Sequence, residues 1–519
     1  MAAEGTARVL DGYALVSLGL TSVRPSARAP ARDTDKWIDP NRAASYVATL
    51  PVAAGVERDW FAISPDERPA EPVDPELDLR YRKSPGFKLP SVYEWNLRFA
   101  RDVVCQGDRS THPYLAAQLQ RVTDLFVFES RTSSPYPTYR YLRNAHYPSG
   151  LVTNAFGWRG PDIPLDKPPG RVRIAFVGAS TTAGAHADRF SYPEYIGPWL
   201  RRWAERRGLP ATFDVVNAGR EGILSTSIAA VVREELAPVK PDLVVYYEGT
   251  NQFWPNQFTV RPLVPILRWI DPASLVEHYS AIGVRLRSVI DKHGSGREPY
   301  KPPVPVAWPS DLSESDPALD DPRLPVQLPV ILKDFDDMSA TLRGSGGALV
   351  LSSFVWLVDP GLVLDPQRDA VIFHELNQRY WPFSYAHLRR FIDFENRAYR
   401  KYARQHGLDF SDAAGVYPHD PRLFVDSVHM TPAGAKLQAW IVFQNLVPVL
   451  ERGFAEKRLP AADPGGRTVH PAFSGPPRRL MRLDEIRGSC GSIPKRSALS
   501  AQPLSSNGVL RAFVARFFR

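Results

Sequence analysis

With 519 residues, 44 % of them hydrophobic and 23 % charged, the chain can bury the cores of two or three globular domains. Its net charge of +8 does not mark a nucleic-acid binder, because residues 477–519 carry nine Lys and Arg against two acidic residues and leave the rest near neutral. Two cysteines, Cys105 and Cys490, lie far apart, which argues against a disulfide framework or a metal cluster and fits a reducing compartment.

No stretch reaches the ~20 apolar residues of a membrane-spanning helix. Gly12–Val23 is apolar and uncharged but short, with Glu4 and Asp11 before it. It reads as a surface segment, with the remnant of a signal or membrane anchor as the alternative. Residues 1–90, rich in Pro, Ala, Arg and Asp, read as a loosely structured leader with short elements. Helices are expected at Tyr93–Val104 and Tyr114–Phe128. An irregular approach over 131–170 contains Thr153-Asn154-Ala155-Phe156-Gly157-Trp158-Arg159-Gly160.

A βα alternation then begins. Arg171–Val177 is a short apolar strand ended by Gly178 and the small residues through Gly184. Ser191 and Glu194 form a capping box with Pro193 in the first turn, and the helix runs to Arg207 before Gly208 and Pro210. A second strand, Thr212–Val216, leads into Asn217-Ala218-Gly219-Arg220-Glu221-Gly222. A helix over Ser225–Leu236 stops at Pro238. A third strand, Leu243–Tyr247, ends in Glu248-Gly249-Thr250-Asn251.

From Gln252 to Gly347 the pattern is lost, with thirteen prolines between Pro255 and Pro329. This reads as an insertion over the sheet edge, a candidate lid with one helix around Pro272–Lys292. Ala348–Phe354 is the fourth strand, Ser384–His406 a long helix, Leu408–Phe410 a short strand. After Asp426-Ser427-Val428-His429, Thr431-Pro432 opens a last helix to Leu450. Beyond Pro460 the chain reads as a disordered basic tail. Its end, Val509–Arg519, is basic and aromatic, a solvated tail or a membrane-surface helix.

Strands alternating with helices imply a parallel, doubly wound α/β sheet, whose ligands sit beyond the carboxyl ends of the strands. Ser180, Gly222 and Asn251 all follow such ends and converge on one crevice. Ser180 in a tight turn suits a nucleophile, against the plain reading of a helix cap. Of eleven histidines, His429 stands out, because Asp426 three residues before it can hold one ring nitrogen while the other faces the serine. The plain alternative makes Asp426 a turn cap and His429 a surface residue. The backbone N–H groups of Ser180 and Gly222 and the side-chain amide of Asn251 are candidate oxyanion donors, against ordinary turn roles for Gly222 and Asn251.

In order and spacing these blocks resemble the SGNH (GDSL-type) hydrolase family. Gly-Asp-Ser becomes Gly178-Ala179-Ser180; an oxyanion glycine after an Asn matches Gly222 after Asn217. Gly-x-Asn-Asp becomes Gly249-Thr250-Asn251-Gln252, and Asp-x-x-His is Asp426 to His429. The lead-in at Asn154, Phe156, Gly157 and Arg159 is also similar to segments in bacterial members. Ala179 and Gln252 depart from the family's aspartates.

The resemblance covers residues 150–450. It implies a three-layer α/β/α, flavodoxin-like fold: an N-terminal extension over 1–150, a hydrolase domain over 151–460 with its insertion at 252–347, and the tail over 461–519. It further implies a serine esterase without metal or cofactor. Ser180 is the nucleophile, His429 the base and Asp426 its orienter, acting on a small-molecule or polysaccharide ester. Transfer of the acyl group to a sugar hydroxyl is a variant. A catalytically silent carbohydrate-binding or scaffolding module is the alternative, motivated by Ala179 and Gln252. No nucleic-acid partner is expected. The compartment is cytoplasmic by default, with an extracytoplasmic one as the alternative; substrate and oligomeric state stay open.

Overall fold

The structure, a computed structural model, describes residues 40–66, 152–184, 190–253, 308–364 and 383–461. It also describes the short stretches 104–106, 124–127, 479–488 and 490–491, and Thr6, Pro137, Tyr141, Phe258, Asp369, Ile372, Glu375, Leu376 and Tyr380 singly. The expected helices at Tyr93–Val104 (but for its last residue) and Pro272–Lys292, and the stretches Gly12–Val23 and Val509–Arg519, lie outside the described residues.

In chain order the elements are α1 (Pro40–Val47), β1 (Asp124–Val127), β2 (Arg171–Gly178), the short turn α2 (Ser180–Ala183) and α3 (Tyr192–Arg207). Then come β3 (Thr212–Asn217), α4 (Ser225–Val231, continued by a wider turn to Leu236), β4 (Leu243–Tyr247), α5 (Leu328–Gly344) and β5 (Ala348–Ser352). The chain closes with α6 (Tyr385–His406), β6 (Asp409–Ser411), α7 (Pro432–Ala455), β7 (Arg479–Arg482) and α8 (Leu483–Gly488).

Five strands form one parallel sheet in the order β3-β2-β4-β5-β6. Every side chain of β2 after Arg171 is buried, because helices cover both faces. The period of two sorts these side chains: Val172, Ile174 and Phe176 join one core with α3 and α7, while Ala175 and Val177 join the other with α4 and α5. Trp199, Trp203 and Trp440 are fully buried in the first core, each removing apolar area worth about 25 cal/mol per Å². The chain turns outward in both directions from β2, so the crevice beyond β2 and β4 is the topological switch point.

Several expectations shift. The fourth strand stops at Ser352, because Phe354 N donates to Asn396 Oδ1 at 2.7 Å instead of to a neighbouring strand. The short strand expected at Leu408–Phe410 is β6 and begins at Asp409. The insertion holds α5, which the sequence reading lost among prolines. Pro329 sits in the first turn, where its missing N–H costs nothing, and Ile331, Leu332, Phe335, Met338 and Leu342 form the buried face.

The leader is not all loose. Ala43 and Val47 of α1, with Val56, Trp60 and Phe61, belong to the first core. Tyr46 OH donates to Asp420 at 3.0 Å, and Ala53 N to Gln444 Oε1 at 2.7 Å. An eight-residue helix offers too few turns for a period to be visible.

The end of the expected helix Tyr114–Phe128 is instead β1, paired antiparallel with β7. The tail read as disordered therefore carries a strand and a helix over 479–488. Cys105 and Cys490 form a disulfide across 385 residues. The reading of these two distant cysteines as arguing against a disulfide and fitting a reducing compartment is overturned, because separation along the chain does not limit contact in space and disulfides persist in oxidising surroundings. Among the described residues no helix is long and apolar enough to cross a membrane.

Candidate active site

Ser180 opens α2 directly after β2, so its N–H lies outside the helical ladder. Gly178 is required there: a Cβ would lie 2.1 Å from the carbonyl oxygen of Tyr247. The turn is tied to the neighbouring strand by Thr182 Oγ1, which donates to that carbonyl at 3.1 Å.

Two more groups hold the turn from the other side. Asn217 Nδ2 donates to Thr182 O at 2.8 Å. Arg159, fully buried, donates from Nη1 to Gly184 O at 2.7 Å and to Ala183 O at 3.2 Å, and from Nε to Glu194 at 2.6 Å. The lead-in segment is thus a support for the serine. Asn154 shapes it, its Oδ1 accepting from the N–H groups of Phe156 and Trp158 at 2.9 and 3.1 Å.

Ser180 Oγ lies 2.7 Å from His429 Nε2, and His429 Nδ1 lies 2.7 Å from Asp426 Oδ2. The other oxygen of Asp426 accepts from Val428 N and His429 N, at 2.9 and 2.7 Å. Asp426 is therefore both turn cap and ring partner, so the two sequence readings of this residue are compatible. Burial alone would lower the pKa of His429. The bonded Asp426 carboxylate, followed by the charges of Glu375 and Glu221, outweighs burial and raises it above 6.5.

Gly222 takes a positive φ of 69°, which favours glycine, and is exposed. Asn251 Nδ2 donates to Ile223 O at 3.0 Å, which brings the β3 and β4 loops together. One amide hydrogen remains for a bound group. Asn251 N donates to Glu248 Oε1 at 2.9 Å. Glu248, buried at the end of β4, has its pKa pushed up to about 8 by desolvation, which the N–H bonds from Asn251 and Gly249 only partly oppose.

The two departures have structural explanations. Ala179 is buried at the start of α2, where its carbonyl accepts from Thr182 N and Ala183 N. Gln252 is buried and donates to Ser225 Oγ at 2.8 Å, fastening the β4 loop to the start of α4. Ser225 in turn donates to Asp334 Oδ2 at 2.5 Å. Neither departure interrupts the hydrogen bonds from Ser180 to Asp426.

The sequence reading missed Glu248, Glu375 and Glu221 as neighbours of the site. Glu248 left one signal, a charge directly after the apolar run Leu-Val-Val-Tyr-Tyr. A cavity of about 620 Å³ is formed by residues of the insertion itself, and its Phe258 stacks on Phe253, two residues after Asn251.

Among solved structures, the chain is similar to the acetyl xylan esterase AlAXEase at 13 % identity and a TM-score of 0.29, over 54 % of this chain and 100 % of that one. It is similar to TesA at 16 % and 0.28, over 54 % and 98 %. A catalytic mutant of the acetylxylan esterase Axe2 from Geobacillus stearothermophilus matches at 15 % and 0.30, over 53 % and 94 %. Comparison with curated proteins gives no match. The model of the GDSL-like lipase/acylhydrolase family matches residues 176–437, half of the chain and every block from the first strand to the histidine, and the chain belongs to that family.

Proposed function

We propose that this acyl-ester hydrolase cleaves its substrate through Ser180, His429 and Asp426. The observation that carries the reading is the unbroken chain of 2.7 Å hydrogen bonds from Ser180 Oγ through the imidazole to Asp426. Ser180 Oγ attacks the ester carbonyl while His429 Nε2 takes its proton. The imidazolium is stabilised by Asp426. The carbonyl oxygen, now negative, is met by the N–H groups of Ser180 and Gly222 and by the amide of Asn251.

The tetrahedral species collapses, the C–O bond to the alcohol breaks, and His429 returns the proton to the departing alkoxide. Water then enters, gives its proton to His429 and attacks the acyl-serine; collapse releases the acid and restores Ser180. A sugar hydroxyl in the place of that water would make the same site a transferase. The explained roles of Ala179 and Gln252 favour an enzyme over a silent module. The Cys105–Cys490 bond supports an oxidising, extracytoplasmic compartment over a cytoplasmic one.

The test is hydrolysis of p-nitrophenyl esters of increasing chain length and of acetylated xylo-oligosaccharides, with products separated into free acid and transferred acyl group. Wild type turns over at least one series and Ser180→Ala none. Equal rates for the two proteins would overturn the reading.

A further inference from the structure

Glu375, in the segment between β5 and α6, is a buried carboxylate that the reaction leaves unused. A single oxygen, Oε2, accepts from both Ser427 N at 2.8 Å and Ser427 Oγ at 2.7 Å. Ser427 has no exposed surface. Its hydroxyl also accepts from Trp356 Nε1 at 3.2 Å, and its carbonyl from Leu357 N at 2.8 Å. It is thus held at N–H, side chain and C=O at once, directly between Asp426 and the residues that reach His429.

We propose that Glu375 is a positioning residue for the base: by fixing Ser427 it sets the loop on which Asp426 and His429 stand, and it presents a second negative charge to the imidazole. The inference rests on the assignment of Ser180, His429 and Asp426 given above. A carboxylate suits the place better than a neutral acceptor, because it binds two donors with charge-assisted strength.

Among the described residues, four acidic groups from four segments face His429. Asp426 comes from its own loop, Glu375 from the segment after β5, Glu221 from the loop after β3, and Glu248 from the end of β4, where it feels the histidine's charge. Asp426 bonds the ring directly, at Nδ1. Glu375 acts through Ser427 and through space. Its charge favours imidazolium, so it keeps the base protonated to a higher pH than Asp426 alone would.

Glu375→Gln and Glu375→Ala separate these effects, read as kcat and kcat/KM against pH on an activated ester beside wild type and Ser180→Ala. The glutamine keeps an acceptor for Ser427 and removes the charge. Its plateau kcat stays near wild type while the acid limb of kcat/KM moves to lower pH. The alanine frees Ser427, and kcat falls on the order of 10²-fold, as for other displacements of a reacting group, with little change in KM.

An acid limb unmoved in Glu375→Gln, or a wild-type kcat in Glu375→Ala, overturns the proposal. If Glu375→Ala does not fold, the acid limb of Glu375→Gln decides alone. Loss of all activity in Ser180→Ala alongside an unmoved limb overturns the role of Glu375 alone. Activity surviving in Ser180→Ala overturns the assignment beneath it.

Discussion

Asn251 donates its side-chain amide to the carbonyl oxygen of Ile223 at 3.0 Å, so the loops after β3 and β4 are one unit at the mouth of the sheet. Gly222 and Asn251, 29 residues apart in the chain, are presented together by that bond and by the one from Gln252 to Ser225 Oγ. In Asn251→Ala both the donor and the tie are lost. A kcat lower by about 10²–10³ with KM little changed is expected from the loss of one oxyanion donor. Steady-state kinetics checks this; a raised KM at unchanged kcat would make Asn251 a ground-state binding residue instead.

Asp426 serves two partners with two oxygens, and that makes Asp426→Asn a selective change. The amide oxygen can still cap Val428 N and His429 N, so the fold and its melting temperature should be kept. The amide nitrogen then faces His429 Nδ1 as a donor and forces the tautomer whose proton points at Ser180. A fall in kcat of up to ~10⁴ is expected, as in the best-studied triads. Kinetics and a melting curve on the same preparation check it. A wild-type rate would leave Asp426 as a cap only.

Much of this was legible in the sequence because the strands are buried on both faces. A run such as Ile174–Val177 or Leu243–Tyr247 has no polar side to confuse it, and the site residues stand where those runs stop. Less legible were contacts whose partners lie far along the chain. Arg159 meets Glu194, Ser427 meets Glu375, and Cys105 meets Cys490, and no local period encodes any of them. Helix α5 was hidden for another reason: prolines break the pattern of the insertion, and the one helix expected there was placed at Pro272–Lys292, although a helix accepts a proline such as Pro329 in its first turn.

Arg159 should matter for both stability and rate. Its guanidinium is wholly buried and bonded to Glu194, and it caps the carbonyl groups that end the serine's turn. Removing one partner of a buried ion pair costs about 3–5 kcal/mol, so Arg159→Ala should melt well below wild type. Below that melting point kcat should fall as well, since Ala183 and Gly184 lose their donor. Thermal melts and kinetics at low temperature check the two effects; an unchanged melting temperature would contradict the support role.

The buried carboxyl groups beneath the β4 loop predict a pH dependence of stability. Burial raises Glu248 and Glu395 each to about 8, Glu395 lying 2.7 Å from the hydroxyl of Tyr399. In the unfolded chain both release their protons near 4.5. Between those values the folded state binds more protons than the unfolded one, so stability falls as pH rises from about 4.5 to about 8. Glu395→Gln removes one titrating group and should flatten the melting temperature over that range. A slope identical to wild type would contradict the account.

Covalent capture of the nucleophile tests the central claim most directly. A fluorophosphonate probe reacts with a serine that a neighbouring base has activated and is held by oxyanion donors. The account predicts a single adduct, mapped by mass spectrometry to the peptide that carries Ser180. It should be absent in Ser180→Ala and strongly slowed in His429→Ala, with all three proteins showing the same far-UV circular dichroism. An adduct on another residue, or none on a folded wild-type protein, would contradict the claim that Ser180 is the nucleophile.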